Sequence, residues 1–148
     1  MSNNHTPQPD PAPPTSRTRV AVYLVGGGIK TAIPACLGAH PTWRQINRTY
    51  REPGPLATRP ELRRALTDPR SGEFDLLLVH SASQVSRNLN ELSEIITELD
   101  EAGVAFRSAT ESHLDTTSIT GRMVLRLMAA FARYEQEHRE QVRRRAVR

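Results

Sequence analysis

The sequence predicts an α/β protein whose mostly parallel sheet is flanked by helices, and three stretches predict it. Phe74 to Val79, FDLLLV, is apolar except for Asp75 and free of Gly and Pro. A run of that kind reads as a strand buried on both faces, as strands of parallel sheets are. Arg19 to Val25, RVAVYLV, is a second such run, closed by Gly26-Gly27-Gly28. Leu89, Leu92, Ile96 and Leu99 then recur at the spacing of an amphipathic helix packed on a sheet. Strands alternating with helices give a parallel α/β sheet, and 148 residues suffice for one domain with one core.

In chain order, residues 1–17 carry five of the 11 prolines and no large aliphatic side chain beyond Met1. They bury too little to offset the entropy of ordering and read as a disordered tail. The first strand and its glycines precede a short helix over Thr31 to His40, then a strand from Trp43 to Tyr50 with Trp43, Ile46 and Tyr50 facing apolar neighbours. Glu52 to Ala57 reads as a Pro/Gly loop. Thr58 and Glu61 form a T-x-x-E capping box with Pro60 in the first turn, Leu62, Ala65 and Leu66 make that helix's apolar face, and Asp68-Pro69 stops it.

After the central strand comes an abruptly polar loop, His80 to Arg87. In open α/β sheets the ligand site lies beyond the carboxyl ends of the strands, so this loop is the first candidate for chemistry. Asn88 and Glu91 cap the next helix, Gly103 ends it, and Val104 to Arg107 is a short strand. Thr110 to Thr120 is a polar loop. From Gly121 a long helix carries Met123, Leu127, Ala130 and Tyr134 along one line, with Val124, Met128 and Phe131 beside it. That face is wider than one small sheet needs, which points to a dimer partner.

Composition narrows the function classes. The net charge is +4, and 19 of the 20 basic residues are Arg, Lys30 being the exception. Arginine makes planar bidentate contacts with phosphate, which suits a polyanion partner; a coding bias toward Arg accounts for the same composition at least as well. The single cysteine, Cys36, excludes an internal disulfide, and no Cys/His spacing, nor His80, His113 and His138, makes a metal site. No apolar run is long enough for a membrane span and no signal-peptide layout opens the chain, so a cytoplasmic protein is expected. Gly26 to Gly28, followed by Lys30 and Thr31, sits between strand and helix, the context of a phosphate-cradling loop. It matches neither G-x-x-x-x-G-K-[ST] nor G-x-G-x-x-G, and a small nucleotide- or phosphate-binding module is the alternative reading it supports.

Four blocks resemble the catalytic domain of serine recombinases, the resolvase/invertase group. These are Arg19 to Leu24, Arg59 to Val79, Val85-Ser86-Arg87-Asn88, and Gly103 to Glu135 with its T-E…D-T-x-x-x-x-G-R-M signature. The resemblance covers residues 18–142. It implies a three-layer resolvase-like fold over 18–120 and a long dimerisation helix over 121–148, the chain stopping before any helix-turn-helix domain. It implies DNA as partner, a homodimer or a heterodimer with a related recombinase through that helix, and site-specific DNA strand exchange. In the family a serine attacks the DNA phosphodiester, arginines neutralise the phosphate, and no metal or cofactor takes part.

Carried over residue by residue, the match is incomplete. The pattern Y-x-R-V-S falls on Tyr23-Leu24-Val25-Gly26-Gly27, so Val25 stands at the arginine position and Gly27 at the nucleophile. D-R-L-S-R falls on Ser83-Gln84-Val85-Ser86-Arg87, where Ser86 and Arg87 remain. In the long helix E-R falls on Glu135-Gln136. Retained positions are thus Tyr23, Ser86, Arg87 and Glu135, and Arg87 with Arg143, Arg144 and Arg145 are the candidate DNA contacts. Neither Ser81, Ser83 nor Ser86 stands at the nucleophile position. The expectation is an inactive recombinase-like domain, a truncated remnant or a regulatory partner of an active enzyme.

Overall fold

A computed structural model describes residues 17–27, 31–54, 59–68 and 72–147. Strands β1 (Thr18–Val25), β2 (Trp43–Glu52), β3 (Leu76–Val79) and β4 (Ala105–Ser108) form one sheet in the order β2-β1-β3-β4. All three pairings are parallel. The helices are α1 (Ala32–Gly38), α2 (Pro60–Thr67), α3 (Ala82–Val85), α4 (Leu89–Glu101) and α5 (Ile119–Ala146). The proline-rich tail, Gly28 to Lys30 and the Thr58 half of the expected capping box lie outside the described residues.

The alternation of β1 and β3 fills both faces of the sheet. Ala21, Tyr23, Leu77 and Val79 point into a core closed by Leu62 and Ala65 of α2 and by Leu92, Ile95, Ile96 and Leu99 of α4. Val20, Val22, Leu24, Leu76 and Leu78 pack on the other face against Ile33 and Cys36 of α1. This is the helix–sheet–helix layering expected of a doubly covered parallel sheet. Because β2 and β3 flank β1 on opposite sides, the winding reverses at the carboxyl ends of β1 and β3. Such a switch point leaves a crevice between the departing loops.

Several boundaries move. β3 begins at Leu76; Phe74 is core but outside the strand, and Asp75 holds Arg19 through its backbone N–H (2.9 Å), Nε and Nη2 (both 3.1 Å). β2 runs on to Glu52, so that residue is not loop but the buried end of a strand. Alternation explains it: Ile46, Tyr50 and Glu52 share one face, and Pro53-Gly54 punctuates after them. β4 is displaced by one residue from its expected span. α5 starts at Ile119, two residues early, because the Ser118 hydroxyl accepts the Gly121 N–H at 2.9 Å and caps it.

The wide apolar face of α5 is two faces. Val124, Leu125 and Met128 pack inward on the main core, and Gly121 and Ala132 are buried. Ile119, Met123, Leu127, Phe131 and Tyr134 point out, each at least 55% exposed. Among the described residues no helix is long and apolar enough to cross a membrane.

Candidate functional site

The carboxyl ends of β1 and β3 bring the first two sequence blocks together. Tyr23 pairs in register with Val79, so the chain leaves the sheet at Gly26-Gly27 and at His80 side by side. Gly26 takes φ +75°, a conformation that favours a residue without Cβ. Its N–H donates to the Glu52 carbonyl (2.7 Å) and its own carbonyl accepts from Arg51 Nη1 (3.2 Å). Gly27 follows, exposed, with open space where a Cβ would stand.

Tyr23 is fully buried and its hydroxyl donates to Glu52 Oε2 at 3.1 Å. Burial, then the charge and hydrogen bond of Glu52, push the phenol well above its usual range, opposed by the Arg59 guanidinium. Glu52 Oε1 accepts the backbone N–H groups of Glu61 (2.7 Å) and Leu62 (3.4 Å), the free amides that open α2. The cap of α2 is therefore a carboxylate from β2. Glu61 turns instead to Arg64 Nη1, at 3.0 Å. Arg59, the N-cap residue, lies in the left-handed region at φ 39°, ψ 65°. A non-glycine residue there costs about 1–2 kcal/mol and is held by its surroundings. Its Nη1 is buried without a hydrogen-bond partner. Sequence reasoning passed over both Glu52 and Arg59. The spacing of Ile46, Tyr50 and Glu52 was the available signal for the first; nothing local marked the second.

The β3 loop is held in place by a network of hydrogen bonds. Ser86 is buried; its hydroxyl accepts the Asn88 N–H (3.0 Å) and stands 2.9 Å from Glu91 Oε2 and 3.1 Å from the Asn88 carbonyl, its two acceptors. Asn88 Oδ1 in turn accepts from the N–H groups of Asn90 (2.9 Å) and Glu91 (3.2 Å), so Ser86 completes the cap of α4. The Ser81 and Ser83 hydroxyls lie 3.1 Å apart at the start of α3. Glu111 braces that turn by accepting from Ala82 N–H (2.9 Å) and Ser108 Oγ (3.2 Å). Arg87 projects exposed beyond Ser86.

Beyond Glu111 the last block turns away from this cluster. Asp115 is buried, receives Arg107 Nη1 at 3.0 Å, and accepts the Thr117 N–H at 2.8 Å, fastening the loop before α5 to the end of β4. Glu135 is exposed on α5, and Gln136 Oε1 accepts from Asn90 Nδ2 at 3.1 Å, tying α5 to α4. Arg143, Arg144 and Arg145 form the exposed last turn of α5.

The resolvase N-terminal domain model matches residues 33–148. Tyr23 and Gly27 precede that span. The chain is 39% identical over 84 residues to the DNA-invertase hin of Salmonella typhimurium, which is 57% of this chain and 43% of that protein. It is 36% identical over 83 residues to the transposon Tn552 resolvase of Staphylococcus aureus, covering 55% and 41%. The chain thus spans less than half the length of these relatives. The N-terminal catalytic domain of TP901-1 integrase superposes with a TM-score of 0.69 at 25% identity, over 80% of this chain and 97% of that one. A resolvase family site-specific recombinase from Streptococcus pneumoniae, 18% identical, shares the fold at a TM-score of 0.70, over 88% and 97%. With the family model matched over most of its length, the chain belongs to the resolvase N-terminal domain family.

Proposed function

We propose that this chain is a serine-recombinase-like domain of DNA recombination that does not itself break DNA. One observation carries the reading. Where the motif beginning at Tyr23 would present a nucleophile, Gly27 offers no side chain. Ser86, retained on the loop that follows β3, is buried and committed to the α4 cap. Removing a catalytic serine typically costs about 10⁶ in rate, and the absence of arginine at Val25 and Gln84 compounds it. Supercoiled plasmid carrying sites for the related invertases should stay uncut after prolonged incubation. A covalent protein–DNA adduct on a denaturing gel would refute the reading.

What remains for such a domain is association. The outward stripe of α5, with Leu127 71% exposed and Phe131 55%, is apolar surface that a monomer has no reason to keep. It borders an open groove of ≈ 160 Å³ between α4 and α5, floored by Leu92, Ile96, Leu125 and Met128. A second copy or a related recombinase would cover it, leaving Arg143, Arg144 and Arg145 to reach DNA backbone. Light scattering should give a dimer, and Leu127→Asp or Phe131→Asp should weaken its assembly at least tenfold, because each buries an unpaired charge. A monomer indifferent to both changes would refute the interface.

A further inference from the structure

Three hydrogen-bond donors converge on one buried carboxylate at the switch point. Glu52 is 1% exposed, and it receives the Tyr23 hydroxyl on one oxygen and the Glu61 and Leu62 amides on the other. The two amides are the positive end of α2. Arg59, the N-cap residue of α2, keeps a buried Nη1 without a hydrogen-bond partner. A hydroxyl and two free amides are a donor set for an oxyanion. Here the oxyanion is part of the chain.

We propose that Glu52 is an internal anion that fills the cradle made by Tyr23 and the α2 N-terminus, and so closes this centre to a DNA phosphate. Phosphate is named as the excluded ion on the strength of the proposed DNA function; occupancy by the carboxylate stands on geometry alone. A second anion would enter a desolvated space beside a like charge. Gly27 therefore accounts for lost chemistry and Glu52 for lost phosphate binding, as two separate features. Gly27→Ser alone would not restore cleavage.

The test is replacement of the missing group. The full chain with Glu52→Ala is melted in rising sodium formate, in inorganic phosphate, and in sodium chloride at matched ionic strength. Expected is a saturable rise in Tm with formate and with phosphate beyond that in chloride, since a ligand that binds only the folded state raises Tm. The unaltered chain should show no saturable component in any of the three salts, only the gradual rise that an excluded salt such as phosphate gives any folded chain. Equal responses of variant and parent would overturn the proposal. If Glu52→Ala does not fold, the parent decides: its Glu61 and Leu62 amide resonances should show no saturable shift with inorganic phosphate. A saturable shift would mean that phosphate enters with Glu52 in place, and would overturn the proposal. Either failure leaves the uncut-plasmid expectation standing, and a cleaved plasmid would leave the formate result standing.

Discussion

Gly121→Ala should destabilise the chain by about 3 kcal/mol or more, at the upper end of overpacking costs. The expected sign is opposite to the usual one. A glycine two residues inside a helix is normally improved by alanine, by up to about 1 kcal/mol. Here an added Cβ would stand 1.7 Å from the Asp115 carbonyl oxygen, 2.6 Å from its carbon and 2.9 Å from Ser118 Oγ. Two of these are backbone atoms, and neither can turn aside as a side chain would. Asp115 is fixed by Arg107 and Thr117, while Ser118 is the cap of α5 itself. Relief therefore means moving α5 away from β4, which unseats Val124, Leu125 and Met128 from the core. Urea denaturation measures the loss, with Gly38→Ala as control. Gly38 closes α1 with open space at its Cβ position, so that change should be neutral or mildly stabilising. If both substitutions leave the midpoint unchanged, the close approach of α5 to the Asp115 loop is not real.

That contact also marks what was legible in the sequence. The β1 and β3 strands, the α4 stripe and the Gly103 stop were readable because their signal is local: a run, a period, a residue that tolerates φ +76°. The family motifs added the α5 boundary region and the candidate positions Tyr23, Gly27, Ser86 and Arg87. What could not be read depends on residues far apart in the chain. Thr58 and Glu61 look like a capping box, yet the amides of α2 go to Glu52, whose position follows from the β1–β2 pairing. Thr110 to Thr120 has little apolar content, yet Leu114 and Asp115 are buried because the loop folds back on β4. On α5 the sequence carries one broad apolar face. Only the placement of α4 decides that Val124 and Met128 are covered by the chain itself while Leu127 and Phe131 are not.

The same non-local packing predicts alkaline unfolding. Tyr23 and Tyr50 are both buried, at 0% and 1% exposure, and both phenols are held above the usual value. For Tyr50 the cause is again burial first, then its hydrogen bond to the Asp68 carboxylate and the charge of Asp68. In the unfolded chain each phenol loses its proton near pH ~10. Between that pH and the raised folded value, the folded state carries the extra protons. Stability contributed by the protonated phenols is thus complete below pH ~10 and is lost as pH rises, by about 1.4 kcal/mol per pH unit for each tyrosine. At pH ~11 the pair should cost about 3 kcal/mol, a large share of the 5–15 kcal/mol typical of a small domain. Denaturation midpoints compared between pH ~9 and ~11 test this, and Tyr50→Phe should remove about half of the pH-dependent loss. Tyr23→Phe should remove the other half but also lower stability at neutral pH, by about 1–3 kcal/mol, because Glu52 loses a donor inside the core. A parent whose midpoint is level across that interval would mean that both phenols ionise freely, and that the Tyr23–Glu52 centre is open to water.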